Sequence, residues 1–230
     1  ERFMTTVVAE GWVDRMRVVD TVGGITPPAL AGLVRRIIAL TGKPVEVHCH
    51  DDFALATANV LAALAAGAQA ASTSLNGMGE RSGCAATEEV AVALRVLYGI
   101  DLGYDLSRLQ KVSRHLQEYS GVRLQPHKAV VGTGTFAQEA GLVVSGWKES
   151  PFVAEPYRPE LVGQKANLLL GKKSGRDSIH CKLEELGLVA SEAQVARILE
   201  QVKQFAQKHK KTVDDEIFRS IHAAVQNGNT

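Results

Sequence analysis

Val45-Glu46-Val47-His48-Cys49-His50-Asp51-Asp52 is the stretch on which the fold turns. It reads as a short strand, Val45 to His50, that runs straight into a polar turn. Short buried strands followed by polar, Gly-containing loops mark parallel β/α units. The same sign appears on both sides of it. Upstream, Met16-Arg17-Val18-Val19-Asp20 leads into Thr21-Val22-Gly23-Gly24. Downstream, a third strand, Ala70 to Leu75, leads into Asn76-Gly77-Met78-Gly79-Glu80-Arg81-Ser82-Gly83. Helical stretches fill the intervals. Arg2 to Glu10 ends at Gly11. The next helix starts at Thr26-Pro27-Pro28, with Thr26 as candidate N-cap and proline at N1, and stops at Gly42. An Ala-rich helix spans about Ala54 to Ala66, and another spans Thr87 to Leu97.

Strand, loop and helix thus recur at roughly 25 to 30 residues, which suits a βα barrel or a doubly wound sheet. The polar signatures all fall just after strand ends, where βα-barrel enzymes place their active sites. Three units are visible and a closed barrel needs eight strands. A partial barrel would leave open edges and an uncovered core. The chain also begins at Glu1, without Met and directly in helical sequence. The expectation is that the absent units lie on the rest of a parent polypeptide or on a partner chain. After Gly103 the pattern changes. Leu106 to Tyr119 reads as an amphipathic helix, and Val130 to Ser174 as loop-rich. Leu168 to Gly175 reads as a strand end and turn. Two amphipathic helices close the chain, about Glu192 to Lys208 and Asp214 to Val225.

Composition excludes several function classes. The 230 residues suffice for one or two domains, and 45% hydrophobic with 22% charged is ordinary for a globular protein. A formal net charge of +1 leaves no electrostatic footprint for nucleic acid. The tightest basic cluster, Lys208 to Lys211, reads as a solvated helix end. No stretch approaches the roughly 18 apolar residues of a membrane span, and no apolar targeting core opens the chain. Three cysteines, Cys49, Cys84 and Cys181, are few and lie in no metal-ribbon spacing, so a reduced, cytoplasmic protein is expected.

Two features carry chemistry. His48 and His50 sit two apart on a strand, so both side chains point to one face at its C-terminal end, where two imidazoles can chelate one divalent ion. Two unrelated histidines at a loop entrance would give the same spacing. Asp51 and Asp52 favour the metal reading, because they can orient imidazoles or hold water. The Gly-rich loop lacks the Lys-Ser/Thr ending of a phosphate cradle. It reads either as a plain βα loop or as one whose glycines allow close approach to a ligand, with Glu80 and Arg81 inside the site.

Together, Asp20-Thr21-Val22-Gly23 with Thr26-Pro27, then His48-Cys-His50-Asp-Asp52, then Asn76-Gly-Met-Gly-Glu80-Arg81-Ser-Gly83 resemble the isopropylmalate, homocitrate and citramalate synthase family. That family belongs to the metallolyase superfamily that includes hydroxymethylglutaryl-CoA lyase. Downstream, Pro126 to Gly132, Phe136 to Gly141, Pro159 to Gly163 and Leu170 to Gly175 resemble the subdomain that follows the synthase barrel. The resemblance implies an α/β chain. Residues 1–125 would be the C-terminal part of a TIM (β/α)8 barrel, strands five to eight, and residues 126–230 a small, loop-rich and mainly helical subdomain. It implies a divalent ion (magnesium, manganese, zinc or cobalt) on His48 and His50, with a further acidic ligand outside this chain. Thr21 would contact the 2-oxo acid, with Asn76, Gly77 and Gly79 as further substrate contacts. Glu80 and Arg81 would be catalytic, or would anchor the loop or touch the acyl-CoA. The implied reaction is a Claisen condensation of acetyl-CoA with a 2-oxo acid in a cytoplasmic homodimer, or with a partner chain completing the barrel.

Three positions depart from the family pattern. Cys84 stands where the family often has Asn near the metal; a thiol there could ligate a soft metal or do nothing, and the sequence favours no catalytic role for it. The family's His-Glu-Ser/Ala-Gly-Ile-His reads Gln138-Glu139-Ala140-Gly141-Leu142-Val143, and Val143 cannot transfer a proton. Ala154 replaces a usual Tyr, with Tyr157 close by. Two other readings therefore stand beside the synthase: a metal-dependent carbon–carbon lyase of the same superfamily, and a non-catalytic subunit of a split enzyme.

Overall fold

Three parallel strands, β1 (Met16–Asp20), β2 (Val45–Cys49) and β3 (Ala70–Ser72), lie side by side in chain order. The computed structural model describes residues 1–11, 13–141, 146, 150 and 153–228. They divide into two units, Glu1–Gly132 and Thr133–Thr230. The strands belong to the first unit, in an α/β arrangement with α1 (Arg2–Ala9), α2 (Pro27–Thr41), α3 (Ala56–Ala65), α4 (Thr87–Leu97) and α5 (Leu109–Ser120).

Register decides what each sheet face does. Val19 stands beside His48, and His48 beside Ser72. Side chains alternate along a strand, so Arg17, Val19, Glu46, His48 and Ser72 share one face. Met16, Val18, Val45, Val47, Cys49 and Ala71 share the other. That second face packs with Leu30, Val34 and Ile37 of α2 and Val60 and Ala63 of α3 into one apolar cluster. Each fully buried Val or Leu there contributes about 1.5–3 kcal/mol relative to exposure. Among the described residues, the first face has no such apolar cluster over it. Val19 is 48% exposed, and Glu46 is taken up by Arg15 (3.3 Å) and Arg17 (2.6 Å).

Local rules explain the boundaries. Pro27 and Pro28 open α2, and Gly42 closes it at φ 61, a conformation that costs glycine no Cβ clash. Thr26 does hold the N-cap position, but its hydroxyl makes no capping bond. The third helix begins at Ala56 rather than Ala54. Ala54 adopts φ 56, outside the helical range, and the Ala56 N–H donates to Asp51 Oδ1 (2.8 Å). The third strand stops at Ser72 rather than Leu75, because Leu75–Gly77 turns into a 3₁₀ segment with Asn76 at φ 59. Residues 84–86 meet the sheet region through single bridges, His50 with Cys84 and Ser74 with Ala86.

The second unit pairs β4 (Ala137–Gln138) with β5 (Asn167–Leu168) and has α6 (Arg176–Leu186), α7 (Glu192–His209) and α8 (Asp215–Gln226). The last two helices match the amphipathic stretches read in the sequence. Ser191 and Gln194 cap α7 reciprocally, and Asp214 accepts the Ile217 N–H (2.9 Å) at the start of α8. The sequence reading did not separate α6 from the loops before it. Its buried residues Ile179 and Leu183 join Leu170, Val195, Ile198, Val202 and Phe218 in a second core. Leu142 and Val143 lie outside the described residues. Among the described residues, no helix is long and apolar enough to cross a membrane.

Candidate metal and substrate site

The polar residues at the ends of β1 and β2 are pulled together by backbone contacts. Asp20 folds its own loop: Gly24 N–H donates to one carboxylate oxygen (3.0 Å) and Ile25 N–H to the other (3.3 Å). Gly23, at φ 64, then lies so close to the β2 loop that a Cβ would stand 2.8 Å from the Asp52 nitrogen and 2.9 Å from the His50 carbonyl oxygen. Only glycine fits there. Thr21, an exposed residue beside it, offers its carbonyl to Arg81 (2.6 Å).

Arg81 is a strap. Its guanidinium grips Asp52 with two bonds of 2.9 Å while holding the Thr21 carbonyl, so it ties the loops after all three strands. The ion pair holds the Asp52 carboxyl below the usual carboxylate range. Glu80 points to solvent, 87% exposed at its side chain, and reaches Arg81 only at 4.0 Å. Asn76 is buried and turned inward. Its side-chain amide donates to the Ser113 carbonyl (3.1 Å) and its N–H to Glu88 (3.0 Å). Burial pushes the Glu88 carboxyl up from its ordinary value.

The two histidines end up beside each other with their rings 5.1 Å apart and nearly perpendicular. His48 Nδ1 lies 3.1 Å from the Ser72 carbonyl oxygen. A carbonyl can only accept, so Nδ1 carries the proton and Nε2 presents its lone pair, the tautomer a metal ligand needs. Asp51 and Asp52 do not do this work. Asp51 holds the start of α3 and Asp52 holds Arg81, so the orienting group is a backbone carbonyl on the neighbouring strand.

The structure adds Cys84 to the pair. Its sulfur lies 3.7 Å from His48 Nε2 and 3.8 Å from His50 Nδ1. The ligand atoms of His48, His50 and Cys84 all lie within 4.8 Å of one another. The sequence favoured no catalytic role for Cys84; the structure places its sulfur beside both imidazoles, where a thiol could ligate a metal. Burial raises the Cys84 thiol, and the Arg81 guanidinium opposes that shift. Cys49 is on the packed face of β2, pushed up to about 12 by burial, then by Asp20 and Cys84.

The loop glycines make this placement. Cys84 N–H donates to the Gly77 carbonyl (3.0 Å), and a Cβ on Gly83 would stand 2.0 Å from that same oxygen. A Cβ on Gly79 would stand 2.7 Å from the Cys84 sulfur. The loop folds on itself and presses residue 84 toward the imidazoles. A proton-locked imidazole, a second imidazole and a thiol converging on one point fit a borderline divalent ion. Nothing local in the sequence signals the Ser72 carbonyl. The Cys84 position was legible as the one where the family often has Asn after Gly83.

Comparison with known proteins bears on this geometry. The HMGL-like family matches residues 3–116, and the family described as homocitrate synthase post-HMGL domain-like matches residues 130–210. A homocitrate synthase of Methanopyrus kandleri is 44% identical over 211 residues, which cover 90% of this chain and 53% of that protein. An (R)-citramalate synthase of Methanocaldococcus jannaschii is 40% identical over 208 residues, 90% of this chain and 42% of that one. The Methanopyrus kandleri protein named probable 2-isopropylmalate synthase is 41% identical over 201 residues, 87% of this chain and 40% of that one. The chain thus spans about half the length of the curated relatives it matches.

Proposed function

The chain belongs to the HMGL-like family and carries the homocitrate synthase post-HMGL domain, and on that premise we propose that the protein is an acyltransferase condensing acetyl-CoA with a 2-oxo acid. The observation that carries this reading is the His48–His50 pair at the end of β2, with His48 Nδ1 held by the Ser72 carbonyl. In the reaction, acetyl-CoA gives up a methyl proton and its methyl carbon joins the ketone carbon. Water then cleaves the thioester and releases CoA.

A divalent ion held by His48 Nε2 and His50 supplies Lewis-acid polarisation of the ketone. This chain's residues bind and position. Ser72 fixes the His48 tautomer, so no tautomer change is needed for ligation. Thr21, exposed at the end of β1, contacts the 2-oxo acid carboxylate. Gly77 and Gly79 allow the loop to approach the substrates, and Asn76 sets the loop's base from its buried position. Arg81 acts as a positioning residue through Asp52 and the Thr21 carbonyl, and Glu80 stands at the solvent side.

The three-stranded sheet is read as part of a TIM barrel continuing outside residues 1–125, with residues 126–230 as the following subdomain. The uncovered face of β1 and β2 supports this, because parallel sheets are ordinarily covered on both faces. The covering strands come from the remainder of the polypeptide or a partner chain, and the assembly is a cytoplasmic homodimer.

The test is a thiol-release assay on the full-length protein with acetyl-CoA and a panel of 2-oxo acids. CoA release that needs both an acceptor and a divalent ion is expected. Absence of release with every acceptor overturns the synthase reading.

A further inference from the structure

We infer that Cys84 is a third protein ligand of the ion, so that this site takes zinc-like divalent ions in preference to magnesium or manganese. The inference rests on reading His48 and His50 as metal ligands. It adds a thiolate that neither the family matches nor the named relatives assign.

Distances decide between a neighbour and a ligand. Zinc lies about 2.0–2.1 Å from imidazole nitrogen and about 2.3 Å from thiolate sulfur, so tetrahedral angles place sulfur about 3.6 Å from each nitrogen. The sulfur stands 3.7 Å from His48 Nε2 and 3.8 Å from His50 Nδ1. The sulfur–nitrogen separations are thus close to those of donors sharing one ion, and the ligand atoms of all three residues lie within 4.8 Å of one another, a span that side-chain rotation can tighten. The nitrogen facing the sulfur on His48 is the one whose lone pair is free, because Nδ1 is committed to the Ser72 carbonyl.

The backbone holds the thiol in place independently of any ion. Cys84 is 8% exposed, bridges to His50 in antiparallel fashion, and receives the Gly77 carbonyl at its N–H. Gly79 leaves the sulfur its space, since a Cβ there would come within 2.7 Å of it. A flexible surface cysteine would show none of these constraints.

Ligand chemistry then sets the ion. Magnesium and manganese prefer carboxylate, carbonyl and water, whereas imidazole with thiolate suits zinc and its neighbours in the first transition row. On binding, the S–H bond breaks, the proton leaves to solvent, and the sulfur donates its electron pair to the ion. With the acidic ligand expected from outside this chain the ion would have four protein ligands, and the substrate ketone or water would enter by expansion to five-coordination, which zinc permits.

Cobalt(II) alone is the probe, added to the purified full chain. Bound cobalt gives visible d–d bands whatever its ligands, and a thiolate ligand adds an intense charge-transfer band in the near ultraviolet. The wild type is expected to show both. Cys84→Asn and the near-isosteric Cys84→Ser keep the visible bands and lose the ultraviolet one, while Cys49→Ala and Cys181→Ala keep both. Zinc affinity falls more than about tenfold in the Cys84 variants, and manganese affinity does not fall. Far-ultraviolet circular dichroism confirms that each variant is folded, and Cys84→Ser carries the test where Cys84→Asn does not fold. Cobalt bound by the wild type without the ultraviolet band, or a band that survives Cys84→Ser, overturns the ligand assignment and leaves the histidine reading standing. No cobalt binding at all overturns the metal reading beneath it.

Discussion

The two faces of the three-stranded sheet are made by the same residues' alternation yet do opposite work. One face, Met16, Val18, Val45, Val47 and Cys49, is sealed under α2 and α3. The other presents Arg17, Val19, Glu46 and His48, partly open to solvent and stitched by the Arg15 and Arg17 ion pairs to Glu46. Stability resides in the first face, where apolar area is removed from water. Chemistry resides in the second, where a polar side chain stays reachable. A change on one face should therefore leave the other's property largely untouched.

The largest effect that separates them is expected from His48→Ala. CoA release in the thiol assay should fall about a thousandfold or more, several kcal/mol of lost polarisation. The urea midpoint should correspond to a loss of only about 1 kcal/mol or less, the worth of the bond to Ser72. Comparable loss of stability and activity would break the division between the faces.

Leu30→Ala tests the converse. Leu30 is fully buried in the cluster beneath β2. Its truncation should cost about 2–5 kcal/mol in chemical denaturation. Protein that remains folded should keep its cobalt spectrum and its metal affinity. A weakened site in the folded fraction would mean that the packed face also sets the ligand geometry.

The smallest effect sharpens where the loop is anchored. Glu88 accepts the Asn76 N–H, and one of its oxygens finds no partner among the described residues. Burial raises its carboxyl above the ordinary carboxylate range. A raised acid favours the folded state while it is protonated. That contribution is full below the unfolded value and is lost as pH climbs through the folded one. Glu88→Gln keeps the acceptor and removes the charge. Urea midpoints measured from pH 4 to 8 should decline less with pH in the variant than in the wild type, and should match or exceed it at pH 7 by up to about 1 kcal/mol. An unchanged slope would show that Glu88 does not titrate in this range.

Much of this was legible without coordinates. The strand–loop–helix rhythm gave the three parallel strands, and the Pro27–Pro28 start and Gly42 stop set α2. The terminal amphipathic helices were read to within a residue or two. The errors lie where local signals compete. Ala54 is a good helix former, but Asp51 capping Ala56 starts the helix later. Helix α6 was missed because it follows a Gly- and Ser-rich turn, and its apolar stripe, Ile179 and Leu183, is short.

The sequence by itself determined that two histidines close a parallel strand, that a glycine loop follows the next, and that both belong to a recognisable family. Periodicity and motif spacing are local along the chain, so they survive without a fold. Only the tertiary structure decided which groups serve those histidines. The carbonyl of Ser72 lies 24 residues from His48 and Cys84 lies 36 residues away. A backbone oxygen has no signature in a sequence, and a thiol becomes a ligand only when the folded loop brings it within reach of both rings.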